Sequence, residues 1–505
     1  VTAFATLAVY DDPVAYQALV RPRAVAVRAA DGSRTLTYAA LDALIGWLGH
    51  GIVAAAGEAR GARVATVARN SIEQVALAFA CQRVGAIFVP LNWRLTGPEI
   101  AALVADAEPA LVLYEPEFAD LVEQGIVLAD FAAAAAAGMP AEPAPMPPDA
   151  PCTLLYTSGT TGTPKGVIVT RAGAFHIALN MAFVGEIDAA SVMLCDVPMF
   201  HVVGLFAVIR TILTVGGTLV LSDRFAPAAT LARLSDATLG VTHYFGVPQI
   251  ASAMRNDPAY AGADLTRLKA IFTGGAPLPR PLVETFMADG IVLLNGYGMS
   301  EAGTVLHMPL DAEITRRHAG AVGYPAPAMA VRIVDDVGRD APRGAVGELW
   351  LQGPSVTPGY WRRPEETAAA FHDGWFRTGD LARLEDGVFH IVDRRKDMYV
   401  SGGENVFPAE VEAVLLAHPD ILDAAVVGEP DERWGERGVA FLTLRAGAAL
   451  TQEAVLAHCS GRLARYKHPA VVVLTDALPR SAAGKVRKDL LKAKRASARP
   501  PGDAS

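Results

Sequence analysis

The sequence has little cysteine and little aromatic side chain: four Cys and 7% Phe, Trp and Tyr in 505 residues. Cys81, Cys152, Cys195 and Cys459 lie far apart in apolar contexts, without CxxC spacing. That excludes a disulfide scaffold and leaves buried thiols in a reducing compartment. HExxH, a His/Cys cluster and an acidic ligand cage are also missing, so no structural metal is expected. There is no basic excess. The net charge of -9 argues against a nucleic-acid surface and for small-molecule partners. Val202 to Leu221 comes nearest to a membrane span, but Arg210 in its middle and Gly216-Gly217 predict a buried helix, a turn and a strand. With Asp11 and Asp12 early and no basic start before an apolar core, the N-terminus does not read as a signal peptide. A soluble, cytoplasmic protein without a transmembrane segment is expected.

At one domain per roughly 150 residues, the length predicts about three structural units. Residues 1 to about 130 alternate helical patterns with short β-rich runs, which predicts a largely parallel sheet in an α/β fold. Ala39 to Ala54 reads as a helix, and Asn70-Ser71 as an N-cap for Ile72 to Val84. Ala132 to Ala137 and the Pro-rich stretch to Pro148 read as a surface connector. From Val331 the pattern becomes short strands with close turns, a β-rich unit over about 331–394. The charged run Asp393 to Asp397 then marks a boundary. The expected organisation is a large N-terminal domain of layered sheets (1–394), a hinge (395–397), a small mobile α+β domain (398–491) and a disordered tail (492–505).

The stretch Tyr156-Thr157-Ser158-Gly159-Thr160-Thr161-Gly162-Thr163-Pro164-Lys165-Gly166-Val167 is organised as a phosphate cradle. Glycines let backbone N–H groups approach oxygens, hydroxyls add donors, and Lys165 supplies a point charge. It is not a Walker A loop, since Pro164 precedes the lysine and Gly166 follows it. The flanks, Thr153 to Thr157 and Val167 to Thr170, read as two strands, so the loop joins strand to strand.

This stretch resembles the signature loop of the adenylate-forming superfamily, which contains acyl-CoA synthetases, peptide-synthetase adenylation domains and luciferases. Further segments match in family order. Asn295-Gly296-Tyr297-Gly298-Met299-Ser300-Glu301 resembles the segment whose aromatic stacks on adenine, whose hydroxyl meets the α-phosphate and whose glutamate holds Mg²⁺. Gly-Tyr-Gly alone is only a common turn. Trp375 to Leu381 resembles the segment in which Asp380 binds the ribose hydroxyls, although an isolated Thr-Gly-Asp is more often a turn. Gly347-Glu348-Leu349 and Gly359-Tyr360-Trp361 also match, with a structural role read for both. Arg394 fits the arginine that reaches the nucleotide, and Lys396 the hinge. Pro479 to Val486 matches the segment whose lysine, here Lys485, bridges carboxylate and α-phosphate. The residues before 150 carry no sharp motif.

What the resemblance implies is attack of a carboxylate on the α-phosphate of ATP, with Mg²⁺ over the leaving pyrophosphate at Glu301 and Thr157. Gly275, Ala276 and Pro277 are placed against the nucleotide with the residues above. Ser401 to Pro408 looks like the acyl-CoA ligase version of its loop, with coenzyme A passing Gly402 and Gly403. Tyr466 and Lys467 are weak candidates near that path. His201, after Phe200, fits a gate at the acyl pocket, where a lone histidine is ordinarily a core residue. The lining segments, with Val202, Phe206, Phe245, Gly274, Gly275 and Met299, are apolar and contain no arginine for a second carboxylate. This favours a fatty or aromatic monocarboxylate. An acyl-AMP ligase loading a carrier protein and a non-catalytic nucleotide-binding regulator are the rivals. A homodimer is left open.

Overall fold

The computed structural model describes residues 12–157, 164–276, 278–480 and 485–497. The chain divides into two compact units, one of Val1–Gly275, Val283–Val331 and Leu351–Phe376, the other of Ala276–Leu282, Arg332–Trp350 and Arg377–Ser505.

In the first unit, the βα alternation closes into two mainly parallel sheets. One has nine strands in the order Tyr324–Pro325, Gly303–His307, Leu293–Met299, Ala270–Thr273, His243–Phe245, Val192–Cys195, Thr218–Leu221, Val25–Ala29 and Thr35–Thr37. The other has six, in the order Ile126–Val127, Leu111–Tyr114, Arg63–Val67, Ile87–Leu91, Pro151–Thr157 and Lys165–Thr170. Ile87–Leu91 is buried along its whole length, as a central parallel strand covered on both faces must be.

The helix Tyr38–Ala56 starts where Thr37 accepts a hydrogen bond from Ala40 N, and it buries Leu41, Ile45, Leu48 and Ile52 completely. Each such side chain contributes about 1.5–3 kcal/mol. This helix, and not Val202–Leu221, is the one among the described residues long and apolar enough to cross a membrane; 44% of its apolar window is buried in the fold. The Val202–Leu221 stretch is the helix–turn–strand that Arg210 and the glycine pair predict, with strand Thr218–Leu221 at its end. Its first part is a π-helix, Val203–Arg210. Buried Arg210 donates to Gln82 Oε1 at 2.6 Å. The Pro-rich connector is closely packed: Ala141 N donates to Gly46 O, and a Cβ at Gly46 would lie 2.8 Å from Pro140.

In the second unit, strand Val388–Arg394 pairs antiparallel with Trp375–Glu385, placing Arg394 opposite Asp380. A further sheet runs Glu404–Val406, Tyr399–Ser401, Gly435–Leu444 and Ile421–Asp431, with Val471–Leu474 parallel to Gly435–Leu444. Helix Pro408–Leu416 buries Val411 and Leu415 against it. The tail expected to be disordered from residue 492 is instead helical to Ser497, because Leu491 is buried and Arg495 pairs with Glu429 at 2.9 Å.

Candidate active site

Strand Lys165–Thr170 is the edge of the six-stranded sheet, and its register with Pro151–Thr157 sets Thr157 opposite Lys165 and Tyr156 opposite Gly166. The loop therefore joins strand to strand, as its flanks predict, and Thr157 and Lys165 face each other at its base. Ser158, Gly159, Thr160, Thr161, Gly162 and Pro277 lie outside the described residues.

The strands Leu293–Met299 and Gly303–His307 form an antiparallel hairpin in which Met299 pairs with Gly303. Ser300, Glu301 and Ala302 are thus its tip. Gly303 adopts φ +68, and a Cβ there would strike Ile177 at 2.4 Å, so glycine is required for the turn to lie against that helix. Thr357 N donates to Glu301 O at 2.6 Å, and the Tyr360 hydroxyl donates to Glu301 Oε1 at 3.1 Å. The Lys165 ammonium lies 5.3 Å from the centroid of the same Tyr360 ring. Burial, then the Glu301 charge, pushes the Tyr360 phenol well above its ordinary range and keeps it a donor. Lys165 and Glu301, far apart in sequence, are thereby joined through a residue to which the sequence assigns only structure.

Of the acyl-pocket candidates, His201, Phe245, Gly274, Gly275 and Met299 lie at or beyond the C-terminal ends of strands in the nine-stranded sheet. Val192–Cys195, His243–Phe245, Ala270–Thr273 and Leu293–Met299 are adjacent and parallel, with Phe245 opposite Phe272 and Thr273 opposite Asn295. Their C-terminal ends lead to Phe200-His201, Phe245, Gly274 and Gly296–Met299, the ordinary ligand edge of such sheets. The two glycines have backbone reasons. Gly275 takes φ +81, and a Cβ at Gly274 would lie 3.0 Å from Gly296 O. Asn295 is buried and donates to Ala321 O at 3.0 Å. Tyr297, Gly298 and Ser300 are partly exposed. Phe206 faces Phe79, Thr153 and Arg210 around a void of about 10 Å³.

The His201 loop is held in part by Asn70, which the sequence reading places in a helix cap. Asn70 Nδ2 donates to Val197 O at 2.9 Å and Asn70 Oδ1 accepts from Met199 N at 3.0 Å. The helix cap is Ser71 alone, accepting from Gln74 N. Asp196, just before the loop, accepts from Thr230 Oγ1 at 2.6 Å and Tyr244 OH at 3.0 Å; burial pushes its pKa up to about 6. His201 rests against Phe200, ring centroids 4.6 Å apart. A Cβ at Gly204 would lie 2.3 Å from Pro198 O, which ties the π-helix to this loop. The sequence singles out Asn70 only as a helix-cap candidate, and its bonds to the His201 loop appear only in the fold.

In the second unit, Arg394 Nε lies 3.4 Å from Asp380 Oδ1. Gly379 N donates to Glu348 Oε1 at 3.1 Å, and Glu348 Oε2 meets both Arg377 and Arg395 at 3.3 Å. Glu348 thus braces the strand segment that carries Asp380. Arg395–Asp397 is a turn in which Lys396 is exposed. Just before it, Asp393 accepts from Ala409 N at 2.8 Å, and burial pushes its carboxyl up to about 6. Gly402 and Gly403 form the tip of a hairpin at φ +62 and +86, and Trp434 O accepts from Gly402 N at 2.8 Å. Lys467 is bound to both oxygens of Glu410 at 2.7 Å. Lys485 is exposed beside the bridge that pairs Arg480 with Val486.

The family model described as AMP-binding enzyme matches residues 14–361, and that of the AMP-binding enzyme C-terminal domain matches 410–485. The chain is 38% identical to a feruloyl-CoA synthase from Amycolatopsis sp, covering 94% of this chain and 96% of that protein. It is 38% identical to an indoleacetate–CoA ligase from Aromatoleum aromaticum, covering 90% and 92%. The solved structure of o-succinylbenzoate CoA synthetase from Bacillus subtilis in complex with its acyl-adenylate intermediate superimposes with a TM-score of 0.87 at 30% identity, covering 95% of this chain and 98% of that one. With both family models matched in order along most of its length, the chain belongs to the AMP-binding enzyme family, in the adenylate-forming superfamily, and is an AMP-forming acid–CoA ligase.

Proposed function

We propose that this acid–CoA ligase activates an aromatic monocarboxylate as its acyl-adenylate and passes the acyl group to the thiol of coenzyme A. The observation that carries the adenylation half is the meeting of Lys165 and Glu301 on Tyr360. Adenylation sets an anionic carboxylate against an anionic phosphate, so cations must be fixed near the reacting oxygens before the reaction. Lys165 serves the polyphosphate, Ser300 the α-phosphate, Tyr297 the adenine face, and Asp380 with Arg394 the ribose. Lys485 bridges carboxylate and α-phosphate in the first half-reaction. Gly402 and Gly403 flank the pantetheine path in the second.

Magnesium fits this donor set. An ion that also binds substrate phosphates needs only one or two protein carboxylates, and Glu301, with Thr157 nearby in role, supplies a hard oxygen of that kind. Among the described residues no cluster of three or more His, Cys, Asp or Glu offers a dedicated cage. Bound there, the ion neutralises charge on the departing pyrophosphate.

For the acid, the reading rests on the apolar character of Phe200, Val202 and Phe245 at the sheet edge and on relatives named for ferulate and indoleacetate. A flat acid suits His201 and the glycine pair, whereas a fatty acid would need a longer apolar channel. The test is CoA-dependent AMP release across benzoic, cinnamic, indole-containing and fatty acids. Highest kcat/KM for a ring-bearing acid is expected. A uniform preference for long alkyl acids contradicts the aromatic reading.

A further inference from the structure

Tyr360 owes its place to backbone stitching. Trp361 N donates to Gly166 O at 2.7 Å, and Ile168 N to Gly359 O at 3.2 Å, which binds this segment to the strand leaving the phosphate loop. Thr357 Oγ1 donates to Ile168 O at 2.7 Å while Thr357 N holds the Glu301 carbonyl. Gly359 sits at φ +147, where a Cβ would meet Thr367 at 2.3 Å, and Tyr360 N donates to Thr367 Oγ1 at 2.9 Å. One phenol ring is therefore clamped between the exit of the phosphate loop and the tip of the Ser300–Ala302 turn.

A glutamate on a hairpin tip has three side-chain torsions to order, and a lysine has four. Both must be in place before the nucleotide arrives if the site is to avoid paying their entropy at the moment of binding. Tyr360 supplies one constraint to each. Its hydroxyl takes up one lone pair of Glu301 Oε1, out of the about four acceptor sites of a carboxylate. Its ring face is a weak resting place for the Lys165 ammonium, from which a polyphosphate draws it without breaking an ion pair.

We propose that Tyr360 is a positioning residue for adenylation, orienting Glu301 toward the magnesium ion and holding Lys165 ready for the polyphosphate. This rests on the reading of Glu301 as the metal-binding carboxylate. It differs from a purely structural Tyr360 in a defined way: removing the hydroxyl alone should change the magnesium requirement of nucleotide binding, without changing the fold.

The test is the ATP-induced rise in melting temperature of the full chain, measured across a magnesium titration and referred to each variant's own ligand-free value. Tyr360→Phe should need about ten-fold more magnesium for half the rise, as expected for a lost hydrogen bond to a charged group. At saturating magnesium its ATP affinity should match the wild type. Glu301→Gln should also raise the midpoint, and Glu301→Gln with Tyr360→Phe should be no worse than Glu301→Gln alone, because the tyrosine acts through that carboxylate. An unmoved midpoint in Tyr360→Phe beside a raised one in Glu301→Gln overturns the proposal alone, as do additive shifts in the double variant. Unmoved midpoints in both single variants overturn the metal reading of Glu301, and the proposal with it.

Discussion

Lys485 adjoins Val486, which pairs with Arg480, and Arg487 N donates to Pro479 O at 2.8 Å. If the Lys485 ammonium stabilises charge only as carboxylate meets α-phosphate, Lys485→Ala should cost adenylation on the order of 3 kcal/mol, a few hundred-fold. Transfer from a supplied acyl-adenylate to CoA should be spared. Equal loss in both half-reactions, timed separately, contradicts the assignment. Lys485, like Lys165, Glu301 and Asp380, stands out in the sequence because the chemistry proposed for it is packed into a short ordered motif. Tyr360 and Asn70 do not, since their value lies in a partner's position: the acceptor of the Tyr360 hydroxyl is on a different hairpin, and Asn70 bonds to a loop that follows another sheet's strand. Gly274 and Gly275 read in the sequence only as small residues for a proposed pocket; the close approach of Gly274 to Gly296 O and the φ of +81 at Gly275, which themselves call for glycine, emerge only with the fold.

Among the elements, the strands flanking the phosphate loop and the helix Ile72–Val84 follow from continuous apolar runs and the Ser71 cap, so their positions are readable directly. The π-helix Val203–Arg210 is not, because eight residues cannot separate its period from that of an α-helix. The Asp393 carboxylate joins the end of strand Val388–Arg394 to Ala409 N in helix Pro408–Leu416, spanning the turn at Lys396. Lys488 stands by with Glu412 at 2.8 Å, and its charge lowers the Asp393 pKa against the burial that raises it. On the proposed assignment of Lys485 to the first half-reaction and of the Gly402-Gly403 tip to the second, we expect rotation about Lys396 between them. Lys396→Pro, by fixing φ, should leave ATP–pyrophosphate exchange intact and abolish CoA transfer. Normal rates in both assays contradict a two-pose cycle.

Over the whole molecule, the parallel order of the nine-stranded sheet turns motifs scattered along the chain into one edge, and it also buries titratable groups. His243 and His307 flank Phe272, with ring centroids 6.0 and 5.4 Å from it, and burial lowers both pKa values to about 4. An ordinary histidine titrates near 6.5, so the unfolded chain takes up these protons first, and the stability these two contribute above that pH is lost as pH falls toward 4. Asp196 and Asp393, raised to about 6, act in the opposite sense: their contribution is present below pH 4 and lost as pH rises through 6. Removing one histidine should therefore expose its share. Relative to the wild type, His307→Gln should lose less stability between pH 6.5 and 4.5, by on the order of 2 kcal/mol. Parallel melting curves against pH would contradict this. The α/β alternation is legible in the sequence; which strands are neighbours is not, because strand order is decided by long-range pairing such as Thr273 with Asn295. Whether one chain couples adenylation to thioester formation on free CoA is read from the products of a single reaction containing ATP, magnesium, CoA and a cinnamic acid. AMP, pyrophosphate and cinnamoyl-CoA are expected in equal amounts, with AMP release dependent on CoA. Acyl-adenylate accumulating without thioester, or ADP and phosphate in place of AMP and pyrophosphate, would contradict that coupling.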